Sequence, residues 1–425
     1  MNYTQRILRI LNKPLLKDIK EGQKGWTYYK HRRVICGWEI GFHVPLNSSY
    51  EEAEKYLPAL IATCGKEVEL INFKGLLVCR IIEKDWPFPL RFKKEHLKQN
   101  QLLIGYDRLM QPVYHPLNVH ILEGGASGAG KTDWQRWIAY QLLLQGYEVY
   151  ICDMKGYSFS PFEGLVTVAD ELKSSRKILV GLVKELERRK AVIQSREFGN
   201  REETVAAFKP IVVLIDEAAD LSPTQYAART MDKELAFDCD YAIGFIGRKG
   251  REPKVFCIYG TQRPDARVIN KQFKDNVEAS IAFRTKDHFG SQIIIDRPGA
   301  EKINPKDKGR CIYSHGEDIL VQTPYIGGDR EWERLLAPLK KGMIIENGNS
   351  ERTNKERNYT EGSFTSSNSS HGSDSKTVQL KFQPTKESFT EPSGTASGKT
   401  NRMGMAQTRK NMASNTKGPA DDEWV

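Results

Sequence analysis

Long apolar runs are missing from this sequence. No window approaches the roughly 18 consecutive apolar residues of a membrane-spanning helix, so no spanning segment is expected. The opening stretch MNYTQRILRILNKPLLKDIK scatters Arg and Lys among Leu and Ile, which is not the order of a signal peptide. Disulfide and zinc frameworks are missing as well. The seven cysteines (Cys36, Cys64, Cys79, Cys152, Cys239, Cys257 and Cys311) are odd in number, far apart and without a C-x-x-C pair; they read as reduced packing residues of a cytoplasmic protein. An acidic excess is absent too: 64 Lys and Arg stand against 54 Asp and Glu, a net of +10. Residues 346–425 hold 11 basic and 10 acidic side chains, a net of +1, so +9 of the excess belongs to residues 1–345. A basic body of this kind favours polyanionic partners.

What is present divides the 425 residues into three parts. Residues 346–425 are rich in Ser and Thr and poor in large apolar residues, as in EGSFTSSNSSHGSDSK, and read as a disordered tail. Its terminal DDEWV reads as a frayed end rather than a docking peptide. Residues 1–115 read as a small α+β domain: β-rich runs between Trp26 and Val44, a helix from Ser49 to Thr63 with capping-box spacing (Ser49, Glu52), and strands at Glu67–Phe73 and Leu76–Glu83. From residue 116 to 345 strands alternate with helices: VHILEG, a helix over 131–145, YEVYICD, a long helix over 172–194, IVVLID, VFCIYG and SIAFRT. That alternation predicts an α/β core with a mostly parallel sheet and crossover helices.

Two motifs carry chemistry. Gly125-Ala126-Ser127-Gly128-Ala129-Gly130-Lys131-Thr132 fits G-x-x-x-x-G-K-[ST] between a predicted strand and a predicted helix, the context a phosphate loop requires. Glycines let backbone N–H groups surround phosphates, and the helix N-terminus adds partial positive charge. Lys131 would meet the β/γ-phosphates of ATP, and the Thr132 hydroxyl would ligate Mg²⁺. Gly394 to Thr400 also ends in GKT but is one residue too short and has no strand before it, so it is rejected as a decoy. The run Ile211-Val212-Val213-Leu214-Ile215-Asp216-Glu217 is an apolar strand delivering two carboxylates at its C-terminal edge, a Walker B arrangement. Asp216 would bind Mg²⁺ through its water shell, and Glu217 would polarise the attacking water.

Three further stretches make the chain resemble the motor of the FtsK/SpoIIIE family of DNA-translocating ATPases, over about 103–326. Asp153-Met154-Lys155-Gly156 resembles the family's D-P-K motif with Met for Pro. Glu185-Leu186-Glu187-Arg188-Arg189 resembles its E-M-E-R-R helix. Gly260-Thr261-Gln262-Arg263-Pro264, followed by DRPGAE, resembles its A-T-Q-R-P strand and D-x-x-G-A-E ending. The resemblance implies a RecA-like P-loop fold and a homo-oligomeric ring, a hexamer, around DNA contacted without sequence reading. It implies that Gln262 senses the γ-phosphate or attacking water. Arg251, with Arg248 competing, would reach the neighbouring subunit's nucleotide, whereas Arg188 and Arg189 are expected in helix-face ion pairs. Relatives that move chromosomes carry membrane helices and a winged-helix module, neither of which is seen here. The layout is closer to compact FtsK-like proteins of conjugative plasmids and integrative elements, implying transfer of mobile DNA and peripheral recruitment to a membrane-channel partner. A protein-secretion ATPase of the same superfamily and a nucleotide-dependent adaptor are the alternatives.

Overall fold

The computed structural model describes residues 2–15, 19–118, 120–195 and 199–350. The residues from 351 onward, including the GKT decoy and DDEWV, lie outside the described residues. Among the described residues no helix is long and apolar enough to cross a membrane. All seven cysteines are buried and unpaired.

The first unit is a four-stranded antiparallel sheet in the order β1-β2-β4-β3, built from β1 (Thr27–Val34), β2 (Gly37–His43), β3 (Glu67–Phe73) and β4 (Leu76–Ile82). Helix α1 (Tyr3–Leu11) buries Ile7 and Leu11, one turn apart, and is capped by Asn2, whose side chain accepts from the Gln5 N–H at 3.1 Å. The helix expected over 49–63 begins as expected, with Ser49 accepting from Glu52 N at 3.3 Å. It is broken, however, into α2 (Tyr50–Glu54) and α3 (Leu57–Cys64). Pro58 explains the break: without an N–H it cannot continue the ladder, but it suits the first turn of a new helix.

The second unit is a ten-stranded sheet in the order β6-β5-β14-β13-β12-β7-β11-β10-β8-β9. Its parallel part comprises β7 (Ile121–Gly124), β8 (Glu148–Cys152), β9 (Thr167–Ala169), β10 (Ile211–Ile215), β11 (Val255–Thr261) and β12 (Ala279–Phe283). The antiparallel edge comprises β5 (Gln101–Tyr106), β6 (Pro112–Pro116), β13 (Arg310–His315) and β14 (Glu317–Gln322). The boundary expected at residue 115 therefore falls inside the large sheet: the small sheet ends at Ile82 and the chain enters the large one at Gln101. Antiparallel pairing lets β5 and β6 join from a hairpin without any crossover helix, so the βα alternation that marks the core does not reach them.

Both faces of the parallel part are covered. Val212 and Leu214 of β10 pack with Trp134, Trp137 and Ile138 of α4 (Lys131–Leu144). The short helix α6 spans Arg201–Ala207; Ile211, Val213 and Ile215 pack with Leu179, Leu182 and Leu186 of α5 (Leu172–Ser195), and with Cys239 and Ile243 of α7 (Met231–Lys249). The two-residue period of the strand thus serves two apolar layers, which is why β10 reads as an unbroken apolar run. Further helices among the described residues are α8 (Lys271–Lys274), α9 (His288–Ile295) and α10 (Asp329–Ser350), the last running past the expected motor end at 345.

Candidate nucleotide site

Strand β7 is flanked by β11 and β12, so the loop that follows it is anchored on both sides. Gly125 N donates to Thr261 O at 3.2 Å and Ala126 N to Arg284 O at 2.7 Å. The glycines are required by space and by backbone. At Gly125 (φ +152°) a Cβ would lie 2.7 Å from Cβ of Phe283, and at Gly130 (φ +107°) it would lie 2.6 Å from the Gly309 nitrogen. The Gly309 N–H in turn donates to Ala129 O at 2.8 Å. Ser127 and Gly128 are left exposed at the tip.

Lys131 opens α4 and is only 3% exposed; its Nζ donates to Gly125 O at 2.7 Å and Ala126 O at 3.2 Å. Burial pushes its pKa below the ordinary lysine value, opposed by the carboxylates of Glu123, Glu217 and Asp216. One residue on, Thr132 Oγ1 donates to Asp216 Oδ1 at 3.0 Å, joining phosphate loop and acidic strand. Asp216, 1% exposed, holds its other oxygen 3.0 Å from Lys155 Nζ. Lys155 is delivered by a turn folded around Asp153, which accepts from Ser158 N at 2.7 Å and Lys155 N at 3.2 Å.

Thr132 and Asp216 thus put a hydroxyl and a carboxylate oxygen together beside the phosphate loop, a hard-oxygen pair suited to Mg²⁺. Among the described residues no group of three or more His, Cys, Asp or Glu could hold a metal alone. That fits an ion that keeps waters and phosphate oxygens as its remaining ligands.

Glu217 faces the end of β11. Its Oε1 accepts from Thr261 Oγ1 at 2.9 Å and from Ala219 N at 3.2 Å, and its Oε2 from Gln262 N at 2.8 Å. It therefore also caps the short turn Ala218–Leu221. Burial raises its pKa, while these three donors oppose the rise. Gln262 joins the site through its main chain, and its side chain is half-buried.

Not every expected residue converges here. Arg251 precedes β11, at the end of the sheet opposite the phosphate loop; it is 58% exposed and ion-paired with Glu278. Arg248 lies in the last turn of α7, and its Nε is bonded to Gly244 O at 3.3 Å. Arg188 and Arg189 both bond Glu185 at 2.7 Å, as expected of helix-face pairs. Four contributors escaped the sequence reading. Thr261 and Lys155 were quoted as motif letters without a role, and Gln135 lies in a helix read only for its length. Glu123 did leave a signal: it is the single acidic residue in the strand run VHILEG.

The chain is 25% identical over 231 residues to the DNA translocase FtsK of Tropheryma whipplei, covering 49% of this chain and 30% of that protein. It is 29% identical over 224 residues to FtsK of Halalkalibacterium halodurans, covering 47% and 27%. With the DNA translocase SftA of Bacillus subtilis it shares 27% over 262 residues, covering 56% and 26%. The chain therefore spans less than a third of the length of these curated relatives. Among solved structures, the pCW3 conjugation coupling protein TcpA, a monomer form with ATPγS, has the same fold at TM-score 0.56 and 23% identity, over 79% of this chain and 99% of that one. No protein-family profile matches. Over about half its length the chain resembles the FtsK-type translocases, as its motifs suggested, and it has a P-loop ATPase fold.

Proposed function

We propose that this protein is an ATP-driven DNA translocase that moves plasmid or mobile-element DNA during conjugative transfer, working as a homo-oligomeric ring. The observation that carries the reading is the shared placement of Lys131, the Thr132–Asp216 pair and the Glu217–Thr261–Gln262 contacts at one edge of the parallel sheet. Lys131 and the loop backbone bind the triphosphate. Thr132 and Asp216 hold Mg²⁺, which when bound neutralises phosphate charge. Glu217, fixed from two sides, orients a water for attack on the γ-phosphate, and Gln262 reports the state of that phosphate. Arg251 or Arg248, both at the far end of the sheet from their own phosphate loop, completes the site of an adjacent copy. The +9 balance of residues 1–345 suits a channel that grips DNA by its phosphates.

ATP turnover with and without DNA is the first experiment. Turnover should rise on adding DNA of any sequence, with binding that weakens steeply as salt increases. Lys131→Ala should abolish turnover, and at least one of Arg251→Ala and Arg248→Ala should suppress it while ATPγS binding to the separated chain persists. Turnover indifferent to DNA but raised by a peptide would favour a protein exporter. Binding without turnover would favour an adaptor. Fractionation with and without the proteins of a transfer system tests recruitment to a membrane channel.

A further inference from the structure

Glu123 is 0% exposed and sits on β7, two residues before the phosphate loop. Its Oε1 accepts from Gln135 Nε2, one turn into α4, and the same Nε2 donates to the carbonyl of Ile215 at 3.1 Å. Ile215 immediately precedes Asp216. One amide group therefore joins the strand before the phosphate loop, the helix after it and the acidic strand. The middle strand leaves room for this: a Cβ on Gly260 would lie 2.5 Å from Gln135 Nε2, 2.5 Å from Ile215 O and 2.6 Å from Glu123 Oε1. The related motif carries alanine where this chain has Gly260, and here an alanine would strike all three groups. Glu123 Oε2 and Gln135 Oε1 are both buried with no hydrogen-bond partner. Unpaired buried acceptors are costly, and apolar residues would pack a strand interior without that cost.

We propose that Glu123, Gln135 and Gly260 form a buried brace that sets the spacing between Thr132 and Asp216, with Glu123 as a positioning residue for Mg²⁺-nucleotide binding. The inference rests on the nucleotide-site reading above. Gln135 lies on the same helix as Thr132, less than one turn away, and Ile215 is joined to Asp216, so the bond between them fixes the two oxygens at 3.0 Å. Burial raises the Glu123 pKa well above the ordinary carboxyl value, and the charges of Lys131, Asp216 and Glu217 all act on it, which places the brace directly behind the reacting groups.

The test measures ATPγS binding by the full chain as Mg²⁺ is titrated, together with ATP turnover and melting temperature. Glu123→Val and Gln135→Leu should each raise the Mg²⁺ concentration for half-maximal ATPγS binding by about tenfold or more, the usual scale for groups that orient metal ligands. Glu123→Gln should recover most of that loss, because its amide keeps the acceptor and adds a donor. Gly260→Ala alone should reproduce the defect. The triple variant Glu123→Val, Gln135→Leu, Gly260→Ala should regain the melting temperature by apolar repacking while keeping the Mg²⁺ defect. A triple variant with wild-type Mg²⁺ dependence, or single variants that lower the melting temperature and leave that dependence unmoved, would overturn the brace. A wild-type chain that binds Mg²⁺-ATPγS but never turns over ATP would instead count against the translocase reading, and the binding curves would still judge the brace.

Discussion

Arg310 of β13 donates through Nη2 to Asp85 at 2.9 Å, and so ties the segment after the small sheet to the large one. Arg108, in the β5–β6 turn, donates to the same oxygen at 2.9 Å and also pairs with Glu67 and Glu69 of β3. The two guanidinium carbons lie 4.1 and 4.3 Å from the ring centroid of Trp86. Arg310 directly follows Gly309, whose N–H holds Ala129 of the phosphate loop. Arg310 is nearly buried, so Arg310→Met should leave Asp307 without its cation and Asp85 with Arg108 alone, and lower stability by about 2 kcal/mol. Urea unfolding, read through the midpoint at constant slope, measures this, and proteolysis between Ile82 and Gln101 should speed up in parallel.

Glu217→Gln keeps the side-chain shape but cannot serve as a carboxylate towards water. ATPγS binding should stay within a few-fold of wild type while turnover falls by roughly 10²–10⁴. Single-turnover hydrolysis beside equilibrium binding separates the two effects. Equal losses in both would show that Glu217 mainly shapes the pocket.

Lys155→Met removes the cation from Asp216, which is almost fully buried. Lys155 is itself about a third exposed, so the ligand-free protein should lose a discounted ~1–2 kcal/mol. Saturating Mg²⁺-ATPγS should recover more melting temperature in the variant than in wild type, since the metal then supplies the missing positive charge. Thermal shift with and without ligand reads the difference.

His120 is buried against Phe256 and Phe273, and its Nδ1 accepts from Cys257 N at 3.0 Å. Burial, helped by the Arg251 charge, lowers its pKa from 6.5 to about 4. The folded state therefore favours the neutral ring. Its contribution is complete above pH 6.5 and is lost as pH falls from there through about 4, up to roughly 3 kcal/mol in all. His120→Asn keeps an acceptor for Cys257 without a titrating ring, so its melting temperature should fall less than that of wild type between pH 7 and pH 4.

The candidate nucleotide site is legible in the sequence because its signals are local. The phosphate loop is eight consecutive residues, and the Asp216–Glu217 pair follows one unbroken apolar strand. Strand β7 to helix α4 and strand β10 fall where periodicity predicts, within about two residues at their ends. What stayed hidden depends on pairing over distance. Strands β5 and β6 join the large sheet only through β14, about 200 residues later, so nothing local distinguishes them from the preceding α+β unit. Pro58 was visible, but whether it would end a helix or start the next was settled by packing. The Lys155–Asp216 pair spans 61 residues and the Glu123–Gln135–Ile215 link crosses two strands and a helix.

Strand β11 ends at Thr261, with Gln262 just beyond, and Arg251 stands before its other end, with a strand of about 20 Å at 3.3 Å per residue between them. If that guanidinium serves an adjacent copy, the harm from losing it is not confined to the chain that lost it. Each altered chain disables its neighbour's chemistry while its own phosphate loop remains sound. In a cell making both versions, the altered one would behave as a dominant poison, and output would fall faster than the fraction of intact chains. A lysine lost from the phosphate loop would injure only its own pocket, so the two lesions placed on different chains could partly restore each other when the chains are mixed.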